Sequence, residues 1–251
     1  MTDGPNAHSL LVFADDWGRH PSSCQHLVRY LLPHHRVTWV NTIGTRKPTF
    51  DLLTLRRAVG KVGQWFGKKS ESASLPDNLT VLNPRMWPAF SNPLDRRINR
   101  NLLMRSLAPR IDAPLAITTL PIVADLMGSL PVRGWLYYCV DDFSKWPGLD
   151  GKTLAKLERI VVERADRVVC VSEHLRHRIA KMGRESDLLT HGVDLDFWRR
   201  DPAPAPEKRI VFWGVLDRRM DVDFVNRLAA DLTDEVILLV GPENDPDPRL
   251  F

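Results

Sequence analysis

Paired carboxylates beside aromatic rings are the first chemistry this chain offers. Asp141 and Asp142 stand just ahead of Phe143 and Trp146 in the stretch DDFSKWPG. Carboxylates accept hydrogen bonds from hydroxyl groups, rings stack on apolar ligand faces, and two acids together can divide acid and base work. The same stretch also fits a capped helix start near Asp150. An earlier loop repeats the theme, with Asp15, Asp16, Trp17 and Gly18 leading to His20. There Asp16, Trp17 and Gly18 are candidates to hold a hydroxyl-rich ligand, and His20 is a candidate to accept a proton. The alternative is a helix-entry loop with Ser22 or Ser23 as cap and the acids in water. His191 precedes Gly192, Val193 and Asp194, where glycine permits a positive φ or the close approach of a ligand. The cationic candidates are Arg218 and Arg219, downstream of Gly214. Near a helix N-terminus their fork-shaped donors would suit a diphosphate. Otherwise they pair with Asp217 and Asp221.

These loops need elements to hold them. Short apolar runs at Leu10–Ala14, Val37–Val40, Asn78–Leu82, Leu115–Thr118, Trp135–Val140 and Arg167–Val171 predict buried strands. Helical patterns at Gln25–Leu32, Pro93–Ala108, Pro121–Gly128 and Asp150–Asp166 lie among them. Strands separated by helices imply right-handed βαβ units and a mainly parallel sheet, which binds ligands at the carboxyl ends of its strands. Ser172 is placed to cap the next helix and Gly183 to stop it. A further strand, Asp187–Thr190, leads to His191. The run Asp201-Pro-Ala-Pro-Ala-Pro206 can be neither helix nor central strand and reads as a spacer. A second βαβ pattern follows, with strands at Ile210–Trp213 and Val236–Val240 and a helix at Val222–Asp231. The division expected is therefore 1–191 as a first α/β domain, 192–208 as a Pro-rich linker, and 209–251 as the start of a second domain. That last stretch is too short to be self-sufficient without metals or disulfides.

Composition narrows the class. The chain has 251 residues, 43% hydrophobic and 26% charged, with a net charge of +4, which is ordinary globular material. Cys24, Cys139 and Cys170 stand far apart without a CxxC pair, so neither a disulfide framework nor a zinc ribbon is expected, and a reducing cytoplasm is. The first residues lack a signal peptide pattern and no apolar run reaches the roughly 18 residues of a membrane span. There is no GxGxxG and no GxxxxGK[ST], which removes the main support for dinucleotide oxidoreductases and P-loop NTPases.

The order YYCVDDFSKWPG, LERIVVERADRVVCVSEHLRHRI, LLTHGVDLDFW, linker, IVFWGVLDRRMDVDFV, VILLVGPEN resembles the GT-B glycosyltransferases of the group 1, or family 4, type. The likeness runs from about Leu10 to Pro242 and is sharpest from Trp135 onward. That family commonly has Asn-Gly-Val-Asp at its domain junction, then an aromatic; here the junction is His191 to Asp194, then Phe197 and Trp198. The resemblance implies a Rossmann-like acceptor-side domain and a second Rossmann-like domain, incomplete here, that holds a nucleoside-diphosphate sugar. It implies transfer of that sugar to a cell-envelope or lipid-linked glycan acceptor with retention of configuration and no metal or resident cofactor. On that basis His20, Asp141, Asp142 and His191 are the catalytic candidates. Gly192, Asp194, Gly214, Arg218 and Arg219 are the donor-binding candidates, and Asp16, Trp17, Gly18 and Trp146 face the acceptor. The chain departs from the family in having the single Gly18 after its first strand, and in lacking the late Glu-x7-Glu motif. Glu235 and Glu243 share that spacing by accident, near the start of the second domain.

A basic stretch remains. Arg46 to Lys69 contains seven basic residues against one acid, Asp51. Leu55, Val59, Val62 and Phe66 recur at helical spacing within it. Arg56, Arg57, Lys61, Trp65, Phe66, Lys68 and Lys69 are the expected contacts to an anionic membrane surface on the cytoplasmic side. The alternative is a core-packing helix with a solvated basic face, which Gly60, Gly63 and Gly67 would weaken. No nucleic-acid module is present in the sequence, so nucleic acid is not expected as a partner. A non-catalytic acceptor- or membrane-binding module, or a nucleotide-sugar epimerase, are the other functional classes the pattern admits.

Overall fold

The computed structural model describes residues 8–19, 22–42, 75–199 and 208–250. The chain divides into two compact units between Gly192 and Val193.

The first unit is built on a seven-stranded sheet. Its strands are β1 (Ser9–Ala14), β2 (Arg36–Asn41), β3 (Leu79–Leu82), β4 (Leu115–Thr118), β5 (Gly134–Cys139), β6 (Arg167–Cys170) and β7 (Asp187–Leu188). The order across the sheet is β3-β2-β1-β4-β5-β6-β7, and every pairing is parallel. Leu10 pairs with Val37 on one side and Leu115 on the other, so β1 lies in the interior of the sheet beside the central strand β4. Leu11, Val12, Phe13, Trp39, Val40 and Tyr137 are fully buried, as strands covered on both faces must be.

The helices owe their positions to apolar periodicity and to caps. Helix α1 (Ser23–Leu31) starts at Ser22, whose side chain accepts from Gln25 N–H. Helix α2 (Pro93–Leu107) has Asn92 as cap and proline in its first turn. Helix α3 (Gly151–Arg164) buries Leu154, Leu157, Glu158, Val161 and Val162, one stripe at i, i+3, i+4, i+7, i+8. Helix α4 (Glu173–Ala180) is capped by Ser172, which accepts from Leu175 N–H, and Gly183 follows it at φ +85°. The helix predicted over Pro121–Gly128 is instead a 3-10 turn, Pro121–Leu126. Gly128 ends it at φ +81°. The strand predicted over Asp187–Thr190 shrinks to two exposed residues at the edge of the sheet.

The second unit contains α5 (Leu195–Trp198), β8 (Arg209–Trp213), β9 (Leu216–Asp217), α6 (Val222–Asp231), β10 (Val236–Val240) and β11 (Glu243–Asn244). Strand β8 pairs in parallel with β10, and β9 with β11. Gly241 sits at φ +150° at the end of β10, and a β-carbon there would lie 1.7 Å from the Gly214 carbonyl oxygen. Glycine at 241 is thus what lets the two strand ends approach, and Gly214 N–H donates to Val240 C=O across the gap at 2.9 Å. No helix among the described residues is long and apolar enough to cross a membrane.

Candidate functional site

Because all seven strands of the first unit run the same way, the loops after β1, β4, β5 and β6 emerge along one edge. The strand order reverses direction between β1 and β4, and open α/β sheets bind ligands outside the carboxyl ends at such a point. The backbone is tied across it: Thr119 N–H donates to Phe13 C=O at 3.0 Å.

The β5 loop is the most organised part of that edge. Asp141 accepts from Asp142 N–H at 2.7 Å and is half-buried. Among the described residues it has no ion-pair partner. Asp142 is buried and caps the turn Phe143–Lys145, accepting from the backbone N–H of Ser144 at 3.2 Å and from its hydroxyl. Arg178 of α4 reaches it, with Nε 3.1 Å from Oδ2, and exposed Lys145 stands 3.9 Å away. The same guanidinium forks onto Glu158 of α3: Nη1 donates to Oε1 at 2.7 Å and Nη2 to Oε2. Glu158 is buried and also accepts from the Tyr137 hydroxyl at 2.9 Å. Hydrogen bonding to Glu158 holds Arg178 above its ordinary pKa, and burial pushes the Tyr137 phenol well above its own. Arg178 therefore carries a permanent charge that two acids share, and Asp142 serves to fix the loop.

The far end of this loop is fixed too. Asp150 caps α3 and accepts from the Ser91 hydroxyl at 2.8 Å and the Thr153 hydroxyl at 3.0 Å. A β-carbon at Gly151 would lie 2.0 Å from the Ser144 carbonyl oxygen, so the helix start and the preceding turn touch through glycine. Trp146 packs against Phe143, with ring centroids 5.6 Å apart and planes tilted by 47°. The helix-capping role foreseen for this stretch falls to Asp142 and Asp150.

The β1 loop is held from beneath. Trp17 N–H donates to the Asn41 side chain at 2.9 Å, and Gly18 N–H to Gln25 Oε1 at 3.1 Å. The Trp17 ring meets Trp39 edge-on at 4.8 Å, with Arg29 5.8 Å from its centroid. Asp16 pairs with exposed Arg19 at 3.3 Å. Gly18 takes a φ of +76°, which favours glycine. His20 and all of the basic stretch, including Arg56, Arg57, Lys61, Trp65, Phe66, Lys68 and Lys69, lie outside the described residues.

The remaining candidates occupy the junction and the second unit. His191, Gly192 and Asp194 are exposed. Gly192 does not use a positive φ, and a β-carbon there would meet nothing within 4 Å. Arg218 and Arg219 lie three and two residues ahead of the cap of α6, Asp221. They form the turn between β9 and α6, and Asp221 caps the helix by accepting from Phe224 N–H at 3.0 Å. Short strands β9 and β11, invisible as apolar runs, take up the residues expected to be loop. Arg219 grips Asp217, a side chain only 4% exposed, with Nη2 to Oδ2 at 2.8 Å. Arg218 pairs with exposed Asp245 at 2.6 Å.

Glu158 and Arg178 were not among the sequence candidates. The signal was present: Glu158 occupies the apolar stripe of α3, and a carboxylate there requires a buried cation.

No family model and no curated protein matches this chain. Solved structures do. HepE from Anabaena in complex with UDP-glucose is similar with a TM-score of 0.57 and 12% identity, over 94% of this chain and 61% of that one. A trehalose-6-phosphate protein from E. coli bound with UDP-2-fluoro glucose is similar with a TM-score of 0.56 and 13% identity, over 94% and 65%. A UDP-glucosyltransferase from Polygonum tinctorium gives 0.50 and 13%, over 99% and 69%. The chain thus spans about three fifths of the length of the first of these structures.

Proposed function

From a chain with the Rossmann-like GT-B fold, we propose a glycosyltransferase that moves a sugar from a nucleoside-diphosphate sugar to a glycan or lipid-linked acceptor of the cell envelope. The observation that supports it is the shared fold, over 94% of the chain, with proteins solved holding UDP-sugars. In this reading Asp141 accepts a hydrogen bond from the acceptor hydroxyl, and Trp146 and Trp17 flank it. The diphosphate is met by a cation of the second unit. Arg218 is suited to that part, because its exposed pair with Asp245 costs little to exchange for a phosphate. Arg219 is not, because leaving would strand a buried Asp217. The transfer keeps anomeric configuration, with electrostatic stabilisation of the leaving diphosphate as its main device. It uses neither a metal nor a resident cofactor. His20 and His191 stand as proton acceptors, and the basic stretch 46–69 as the contact to an anionic cytoplasmic leaflet.

The test is calorimetric titration of the purified protein with UDP-, GDP- and ADP-sugars, followed by detection of released nucleoside diphosphate with a lipid extract as acceptor source. Saturable binding of one donor, and acceptor-dependent release of its diphosphate, are expected. Release without acceptor, with the sugar returned as an epimer, would support the epimerase instead. Binding of no donor would overturn the proposal.

A further inference from the structure

Cys139 closes β5 and Cys170 closes β6, and the two are direct partners in the parallel ladder. Paired residues of neighbouring strands present their side chains on the same face, with the strands about 4.8 Å apart. Disulfide-linked Cα atoms are typically about 4.4–6.8 Å apart, so this spacing admits a bond. Both residues are fully buried, side by side on one face of the sheet. We propose that Cys139 and Cys170 are a dithiol–disulfide couple, a redox-modification site at the carboxyl ends of β5 and β6. It stands on the strand register and is independent of the sugar-transfer reading.

The surroundings assign the two sulfurs different parts. The neighbouring Cys139 thiol lowers the pKa of Cys170, and Ser186 Oγ lies 3.4 Å from the Cys170 sulfur. The adjacent Cys170 and then burial raise the pKa of Cys139, whose sulfur lies 3.9 Å from Glu158 Oε1. Cys170 is the attacking thiolate. Its oxidant is a low-molecular-weight disulfide such as oxidised glutathione. The Cys170 sulfur bonds to one sulfur of that reagent and expels the other as a thiolate. Cys139 then gives up its proton and attacks the Cys170 sulfur, expelling the second reagent thiolate. Two protein thiols are oxidised, one reagent disulfide is reduced to two thiols, and the two protons released pass to those thiolates. The reagent gains access by fraying of β7, whose two exposed residues cover Cys170 at the sheet edge through the Leu189 N–H to Cys170 C=O bond. Cys24 lies apart at the start of α1, where burial pushes its thiol up to about 12, and it should stay reduced.

The bond would sit directly beneath the loop that carries Asp141 and Asp142. Closing it removes one donor from Glu158 and ties β5 to β6 immediately before that loop, so a raised urea midpoint is expected.

The experiment equilibrates the native protein in glutathione buffers of graded oxidation, quenches with acid, alkylates and reads the peptides by mass spectrometry. Two of the three thiols should be lost together, in a dithiothreitol-reversible Cys139–Cys170 cross-linked peptide, with Cys24 alkylated throughout. Cys139→Ser should stop the reaction at a mixed disulfide on Cys170. Three free thiols at every ratio, pairing through Cys24, or a cross-link seen only in unfolded protein would each overturn the proposal. The wild-type readout stands alone if the variant fails to fold.

Discussion

Arg178 Nε lies 3.1 Å from Asp142 Oδ2 while its Nη atoms hold Glu158, so one guanidinium on α4 joins α3 to the loop after β5. The sheet, two helices and the candidate site share this one cation. Arg178→Met leaves a buried carboxylate unpaired and should lower the unfolding free energy by about 3–5 kcal/mol. Adding Glu158→Leu should restore part of that loss, because one of the two stranded carboxylates goes too while Asp142 remains. Urea denaturation of the two single variants and the double variant measures it; strictly additive losses would mean that the ion pair is not the tie.

Asp141 and Asp142 should separate under isosteric replacement. Asp141→Asn keeps the urea midpoint and lowers sugar transfer by about 10²-fold or more, within the range of acid–base contributions. Asp142→Asn weakens the pair with Arg178 and shifts the midpoint first. A variant pair with the reverse pattern would exchange the two roles.

The two arginines of the second unit should separate in the same way. Arg218→Ala gives up an exposed pair and should weaken binding of the donor sugar nucleotide by roughly 10-fold, the worth of one charge-assisted hydrogen bond. Arg219→Ala should lower the melting temperature, because Asp217 is left buried without its cation. Unchanged donor affinity in Arg218→Ala removes that residue from the donor site.

Glycine has unequal weight at two positions. Gly151→Ala places a methyl group against the Ser144 carbonyl and should cost about 1–3 kcal/mol. Gly192→Ala meets open space without a positive φ and should stay within about 0.5 kcal/mol of wild type. Equal thermal shifts for the two variants would contradict the packing described.

Acid should act on the second unit through Asp217. Its hydrogen bonds from Arg219 hold the carboxyl below its ordinary value of 3.8. A group depressed by folding stabilises above its unfolded pKa and loses that contribution as pH falls through the folded one. Stability should therefore decline below about pH 4, and Asp217→Asn should flatten the decline while being less stable at neutral pH. Urea midpoints across the acid range provide the check; an unchanged slope would remove Asp217 as the cause.

The parallel sheets were legible because strands such as Leu115–Thr118 and Val236–Val240 are continuous apolar runs, and these two have the bounds expected. The caps at Ser172 and Asp150 were legible for the same local reason. Strands β9 and β11 were not, since two residues carry no periodicity and their pairing depends on the glycine contact at 214 and 241. The candidate site was legible at the level of loops, because a parallel sheet gathers its loops at one edge. Which acid is paired was not legible: Asp142 is claimed by Arg178, which lies 36 positions further along the chain, and only the fold brings them together.

The interior place of β1 has a consequence for biosynthesis. Its second neighbour, β4, pairs Leu115 with Leu10, so 105 residues separate the first strand from the strand that completes its surroundings. At translation rates of about 5–20 residues per second, that interval is about 5–20 s. Through it the segment Leu-Leu-Val-Phe-Ala has an unpaired edge on the nascent chain, while β4, β5 and β6 each meet their next neighbour soon after leaving the ribosome. Among the described strands of this sheet, β1 is therefore the one whose second edge waits longest for its partner.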